Sequence, residues 1–187
     1  MSVVDALFTA TSAVCVTGLS VVDTGNDLTG ASQAVLLLLI QLGGLGVMAA
    51  TTTLSLLMRE RIGLRQRLLL AGGVGVDSLS GIVRLLIRTL GLTFAIEGAG
   101  AVFLFWGFLR AGLSPVQSVR SAVFHSVSAF CNAGFSLFSD NLERYANTVL
   151  VPGTVMTLIV LGGLGFIVLS ELGETFRGSA RLSAHSK

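Results

Sequence analysis

Two glycines, Gly18 and Gly134, close the same short phrase. Phe8 to Ser20 reads FTATSAVCVTGLS and Phe124 to Ser136 reads FHSVSAFCNAGFS. Phe8, Ser12, Ala13, Cys15, Gly18 and Ser20 therefore recur as Phe124, Ser128, Ala129, Cys131, Gly134 and Ser136, with Ala6 and Ala122 matched just upstream. Neither phrase holds an acid; the nearest are Asp5, Asp23 and Asp140. What remains for chemistry is the backbone. Glycine reaches at low cost the angles that turn successive carbonyls to one side, and carbonyls so arranged can replace the hydration shell of a permeating cation. His125 and Cys131 could suggest an imidazole–thiol pair, but no third group orients them, and Thr9 stands at the histidine's position in the first copy. The chain is accordingly read as no enzyme. Cys15 and Cys131 cannot make a metal site by themselves. A disulfide between them is conceivable, yet their symmetric placement fits small buried residues with a shared local role better.

The elements that must position these phrases are apolar. Only 12% of the residues are charged, against roughly a quarter in a soluble domain, and 52% are hydrophobic, with a mean hydropathy of +0.85. That is membrane composition, and a net charge of +2 points to no nucleic-acid partner. Three apolar runs, about 33–58, 82–109 and 148–172, each exceed the roughly 20 residues a spanning helix needs. Each phrase instead begins with a short amphipathic run, Val3 to Val14 and Val116 to Phe130, the second started by Ser114-Pro115. Short polar stretches, 21–30 and 137–147, follow them. Such half-length helices can enter a membrane and return. Their inner C-termini would favour a cation.

Arg59, Arg61, Arg65, Arg67, Arg84 and Arg88 cluster around the link between the first two spans, and Arg177, Arg181 and Lys187 follow the third. The positive-inside rule places the link and the tail in the cytoplasm and both phrases outside. No basic segment precedes the first apolar run as in a cleavable signal. GGLG follows each phrase, at 43–46 and 162–165, as a hinge or as close helix packing by small residues. Glu97 lies within a span, where an ionisable group is either paired in the bundle or near an ion path. GGVGVDS at 72–78 has no preceding strand and reads as a flexible connection rather than a phosphate loop.

TSAVCVTGLSVVDTG followed by LLLLIQLGGLG, and FHSVSAFCNAGFS followed by LIVLGGLGFIVL, closely resemble the Trk/Ktr/HKT superfamily, nearest to the potassium-translocating membrane subunit of Ktr-type systems. In that family four membrane–pore–membrane units surround one pore, with one filter glycine per unit. The resemblance covers essentially the whole chain, which carries two such phrases rather than four. It implies that Val16, Thr17, Gly18 and Leu19, with Asn132, Ala133, Gly134 and Phe135, line the ion path through their backbone carbonyls. It implies potassium as substrate, sodium as a candidate coupling ion and no cofactor in this chain. It also implies a homodimer of the complete subunit in the lipid bilayer and a cytoplasmic nucleotide-binding regulatory ring. Glycine in both copies leans towards potassium.

The expected fold is an all-α integral membrane protein of membrane–pore–membrane repeats, with re-entrant half-helices and extended filter loops. Residues 1–58 form the end of a first unit, 59–81 a basic cytoplasmic linker, 82–176 a second unit and 177–187 a cytoplasmic tail. The expected function is monovalent-cation uptake through a carbonyl filter, as a partial copy of a multi-pass cell-membrane subunit. Two rivals are a secondary transporter of another solute, which requires inverted repeats, and a non-transporting membrane fragment, which leaves the matched glycines unexplained.

Overall fold

The computed structural model describes the backbone of residues 2–59 and 79–164, and the side chains of 2–47 and 90–164. Among these residues the chain is helical, with no strand. The linker at 60–78, with its GGVGVDS stretch, the end of the third apolar run and the tail lie outside the described residues.

The short helices begin at caps legible in the sequence. α1 spans Val3–Val14; Ser2 Oγ accepts the Asp5 N–H at 3.1 Å while Asp5 Oδ2 accepts the Ser2 N–H at 2.9 Å. α4 spans Pro115–Phe130, where Ser114 and Gln117 make the same reciprocal pair, each bond 3.4 Å. Both are capping boxes that satisfy otherwise orphaned N–H groups. α2 spans Gly30–Arg59 and starts before the apolar run. Thr29 Oγ1 accepts the Ser32 N–H at 3.3 Å and Thr29 O accepts the Gln33 N–H at 2.9 Å, a cap that draws three further residues into the helix. α3 spans Leu79–Arg110 and α5 spans Leu150–Gly163. One 3₁₀ turn, Glu143–Tyr145, precedes α5.

α2 and α3 are long enough to cross a membrane. At 1.5 Å per residue they extend about 45 Å and about 48 Å, beyond the roughly 30 Å of a hydrocarbon core. Their windows Gly30–Val47 and Leu90–Arg110 each have a mean hydropathy of 1.7. Leu38, Leu42, Phe94, Val102 and Trp106 point outward, each more than half exposed, a surface suited to lipid. α1 and α4, at 12 and 16 residues, are too short to span.

α4 is the element shared by two cores. On one side Phe130 and Ala122 pack with Leu104, Phe108, Tyr145, Val151 and Leu158. On the other, Phe124, Val127 and Cys131 pack with Ala13, Leu28, Leu36 and Ile40 from the first half of the chain. Close approach of α3 depends on small residues two turns apart. A Cβ on Gly100 would stand 2.7 Å from Leu158 Cδ1 and Ser126 Oγ, and one on Gly107 would stand 2.6 Å from Val151 Cγ2.

Candidate functional site

The two phrases fold alike at their helix ends. Cys15 caps α1 at φ −80° and Cys131 caps α4 at φ −72°. The next residue turns left-handed in both, Val16 at φ 54° and Asn132 at φ 58°. Val16 N–H then reaches Ala13 O at 3.2 Å and Thr17 N–H reaches Ser12 O at 2.9 Å; the counterparts are Asn132 to Ala129 at 3.1 Å and Ala133 to Ser128 at 2.8 Å. This pair of bonds is a Schellman motif. Gly18 and Gly134 follow in the left-handed region, at φ 79° and φ 73°.

The left-handed start was not expected. Extended loops were foreseen, with glycine alone carrying the special angles, yet each phrase opens on a non-glycine residue of positive φ. Asn tolerates that region, and it is a legible signal at this position. Val16 is β-branched and strained there.

The glycines come together. A Cβ on Gly18 would lie 2.8 Å from Ala133 O and 3.4 Å from the Gly134 Cα, and one on Gly134 would lie 3.4 Å from the Gly18 Cα. The matched serines secure the residue after each glycine, with opposite polarity. Ser12 Oγ accepts the Leu19 N–H at 2.9 Å, whereas Ser128 Oγ donates to Phe135 O at 2.7 Å. Of the eight residues singled out in the sequence, Phe135 thus has its carbonyl engaged by the protein. Leu19 has its N–H engaged instead.

Beyond the phrases the two halves knit together. Asn26 Nδ2 donates to Ser139 Oγ at 2.8 Å, and Ser139 Oγ donates to Asp23 Oδ2. That last bond, with the Asn26 and Gly25 N–H groups, holds the Asp23 carboxyl below the usual range. Gln33 Nε2 donates to Thr24 O at 2.8 Å, and its Oε1 accepts from the Arg120 guanidinium of α4. Asp140 accepts from Arg144 Nε at 2.8 Å, which lowers its pKa. The acids at 23 and 140 therefore lie beyond the glycine turns, and among the described residues no group of three His, Cys, Asp or Glu side chains could hold a metal ion.

The other sequence candidates resolve as packing. Gly43 faces Val14 O, where a Cβ would come within 2.2 Å, and Gly162 faces Phe130 O at 1.8 Å. The first glycine of each GGLG thus lies against the last carbonyl of its own short helix. Close packing is what they do. Cys131 is buried with its Sγ against Gly44, but Cys15 is exposed, so the expected shared burial of the cysteines fails. Both thiols are free. Glu97 is buried with Oε1 unpartnered, beside Gln41, whose Nε2 is unpartnered too. His125 is bonded at both ring nitrogens to Ser121 and Ser136, which leaves neither nitrogen free to serve Cys131.

A sequence profile described as cation transport protein, TrkH, matches residues 1–180. The chain belongs to the TrkH family. It is 39% identical over 188 residues to Ktr system potassium uptake protein B of Vibrio alginolyticus, covering 100% of this chain and 41% of that protein. The protein of the same name from Bacillus subtilis is 37% identical, with 100% of this chain and 42% of the relative covered. Potassium/sodium uptake protein NtpJ of Enterococcus hirae is 36% identical over 184 residues, 98% of this chain and 40% of that one. The chain spans about two fifths of the length of these curated relatives. A membrane protein, helical throughout its described residues, is what family and fold together establish.

Two features of the site are not visible in the sequence: the matched serines show no bonding partner there, and Thr9 at the place of His125 in the first copy hides the histidine's contacts.

Proposed function

We propose that this chain forms part of the membrane subunit of a potassium uptake transporter, in which backbone carbonyls around Gly18 and Gly134 select a monovalent cation. The observation that carries this reading is the contact between the two glycine turns, each built on the same helix-end hydrogen bonds and neither holding an acid. α1 and α4 act as re-entrant half-helices whose C-termini direct partial negative charge towards the ion. Val16, Thr17, Gly18 and Leu19 with Asn132, Ala133 and Gly134 supply the candidate carbonyls, and Phe135 serves through its tie to Ser128. Asp23 and Asp140 act only on the cation concentration at the mouth.

Membrane–pore–membrane units, bounded as 1–58 and 82–176, account for a further feature. An apolar groove of about 380 Å³ lies between α1 and α2, lined by Ala6, Ala10, Ser32 and Leu39 among others. Their matched positions in the second half are Ala122, Ser126, Val151 and Leu158, on the face of α4 and α5 that α3 covers. The groove is therefore shaped for a spanning helix of the α3 kind. The setting of the family extends the proposal to a multi-pass protein of the cell membrane, working as a homodimer of the complete subunit. A cytoplasmic nucleotide-binding ring would dock on the linker and tail, and sodium would be the coupling ion.

Potassium and sodium uptake by the full-length protein, in cells lacking their own uptake systems, tests the filter. Gly134→Ser should reduce the preference for potassium by about tenfold, since strain of about 1–3 kcal/mol at such a position is worth that much in an affinity ratio. Asp140→Asn should alter uptake only at low ionic strength. The reading fails if the glycine change leaves the preference intact while the aspartate change abolishes it.

A further inference from the structure

His125 belongs to α4, but it reaches past the glycine turn to the segment that returns from it. Its ring is 2% exposed. Nδ1 lies 2.7 Å from Ser121 O; a carbonyl only accepts, so Nδ1 carries the proton. Nε2 is then the acceptor. It takes the Ser136 hydroxyl at 2.9 Å and the Leu137 N–H at 3.4 Å. The ring stacks on Phe138 at 4.9 Å and meets the rings of Phe108 and Phe124 at 5.6 Å and 5.8 Å. Thr9, at the matched place in α1, is buried with its hydroxyl unpartnered, and Ser20 turns instead to Val22 O at 2.6 Å. The matched serines tie Leu19 and Phe135 to their helices in both copies; only the second return segment is anchored again one and two residues further on, at Ser136 and Leu137.

We propose that His125 is a positioning residue for ion selection. Its neutral imidazole, accepting at Nε2, fixes Ser136 and Leu137 and so holds Phe135 and Gly134 in register with Gly18. The proposal rests on the carbonyl-filter reading and deepens it. A doubly protonated ring has donors only. Ser136 Oγ can rotate to accept from it, but the Leu137 N–H cannot, so acid removes one bond and sets two N–H groups against each other. The ionisable groups nearby are few. Arg144 lies over Phe138, the ring stacked on His125, at 5.2 Å and is paired with Asp140; Tyr145 lies against Phe108 and Phe138. Cys131 caps the same helix, which also carries Arg120, bonded to Gln33. α3 presents Phe108 and buried Glu97, whose main-chain oxygen accepts from Ser126 Oγ, and α5 carries no ionisable side chain. Both ring nitrogens are bonded to Ser121, Ser136 and Leu137, none of them a carboxylate.

The test is the potassium-to-sodium uptake ratio of the full-length protein in proteoliposomes, followed against external pH. Wild type, His125→Leu, His125→Gln and Gly134→Ala are compared. The leucine variant should lose preference by roughly tenfold at neutral pH, as expected when a half-buried N–H and a hydroxyl lose their shared acceptor. The glutamine variant, whose Oε1 can accept the same N–H, should recover most of that loss. Wild type should lose preference as external pH falls, and His125→Gln should stay flat. If His125→Leu does not fold, the comparison of pH profiles between wild type and His125→Gln decides alone. A glutamine profile that follows wild type, or a folded leucine variant with full preference, overturns the proposal. If Gly134→Ala leaves the preference unchanged, the filter reading itself has failed; if only Gly134→Ala shifts it, the filter stands and the histidine clasp falls.

Discussion

Val16 holds φ at 54° with a β-branched side chain, while Asn132 performs the same turn with a residue suited to it. The difference predicts an energy. Val16→Asn should raise the thermal stability of the purified full-length protein by an amount equivalent to about 1 kcal/mol, the low end of the strain such positions store; a lower melting temperature would show that Val16 contributes packing that outweighs the strain. The left-handed turn was half legible: an Asn just past a helix end is a recognised signal, whereas a Val there argues for the opposite. His125 was illegible for another reason. Its role depends on Ser136 and Leu137 returning to the same helix, a long-range closure that no spacing in the phrase reveals. Asp23 and Asp140 follow simpler rules. Each has its carboxyl lowered by a neighbour, Ser139 and Arg144 respectively. Whatever these contacts contribute is present above the ordinary carboxylate range and is lost as pH falls through the lowered values.

The helices were largely written in the chain. α1 begins and ends where the amphipathic run does, and α4 differs only by including Pro115, because both starts are fixed by local capping pairs. α2 begins earlier than its apolar run suggests, since the Thr29 cap acts ahead of the hydrophobic pattern. Helix packing was less legible, as GGLG allowed both a hinge and a close contact. The contact now makes a prediction. Gly162→Ala would place a Cβ 1.8 Å from Phe130 O, an obstacle of backbone that cannot rotate away. It should destabilise the protein by about 1–3 kcal/mol or more, as overpacking does. Gly98→Ala, with nothing within 4 Å of its added carbon, should be neutral or gain up to about 1 kcal/mol from helix propensity. Chemical or thermal denaturation of both variants checks the pair, and equal effects would mean that α5 can shift away from α4 freely.

At the scale of the whole molecule the chain is two half-similar parts joined through α4, with their glycine turns in contact and their outer loops bonded across Asp23, Asn26 and Ser139. Like order of short helix, glycine turn and apolar helix carrying GGLG in both parts favours units arranged around an axis along the membrane normal over an inverted pair. That arrangement was legible because the phrase is repeated with its GGLG. The approach of the two turns follows from the same repeat, since matched phrases set around one axis bring their glycines together, as Gly18 and Gly134 are. The central claim is that a cation is held by backbone carbonyls at this contact. The most direct measurement is the anomalous scattering of thallium, a potassium substitute, in crystals of the full-length protein. The account predicts a peak beside Gly18 and Gly134, within coordination distance of the carbonyls of Thr17, Gly18, Ala133 or Gly134. Peaks confined to the carboxylates of Asp23, Asp140 or Glu97, with none beside the glycines, would contradict it.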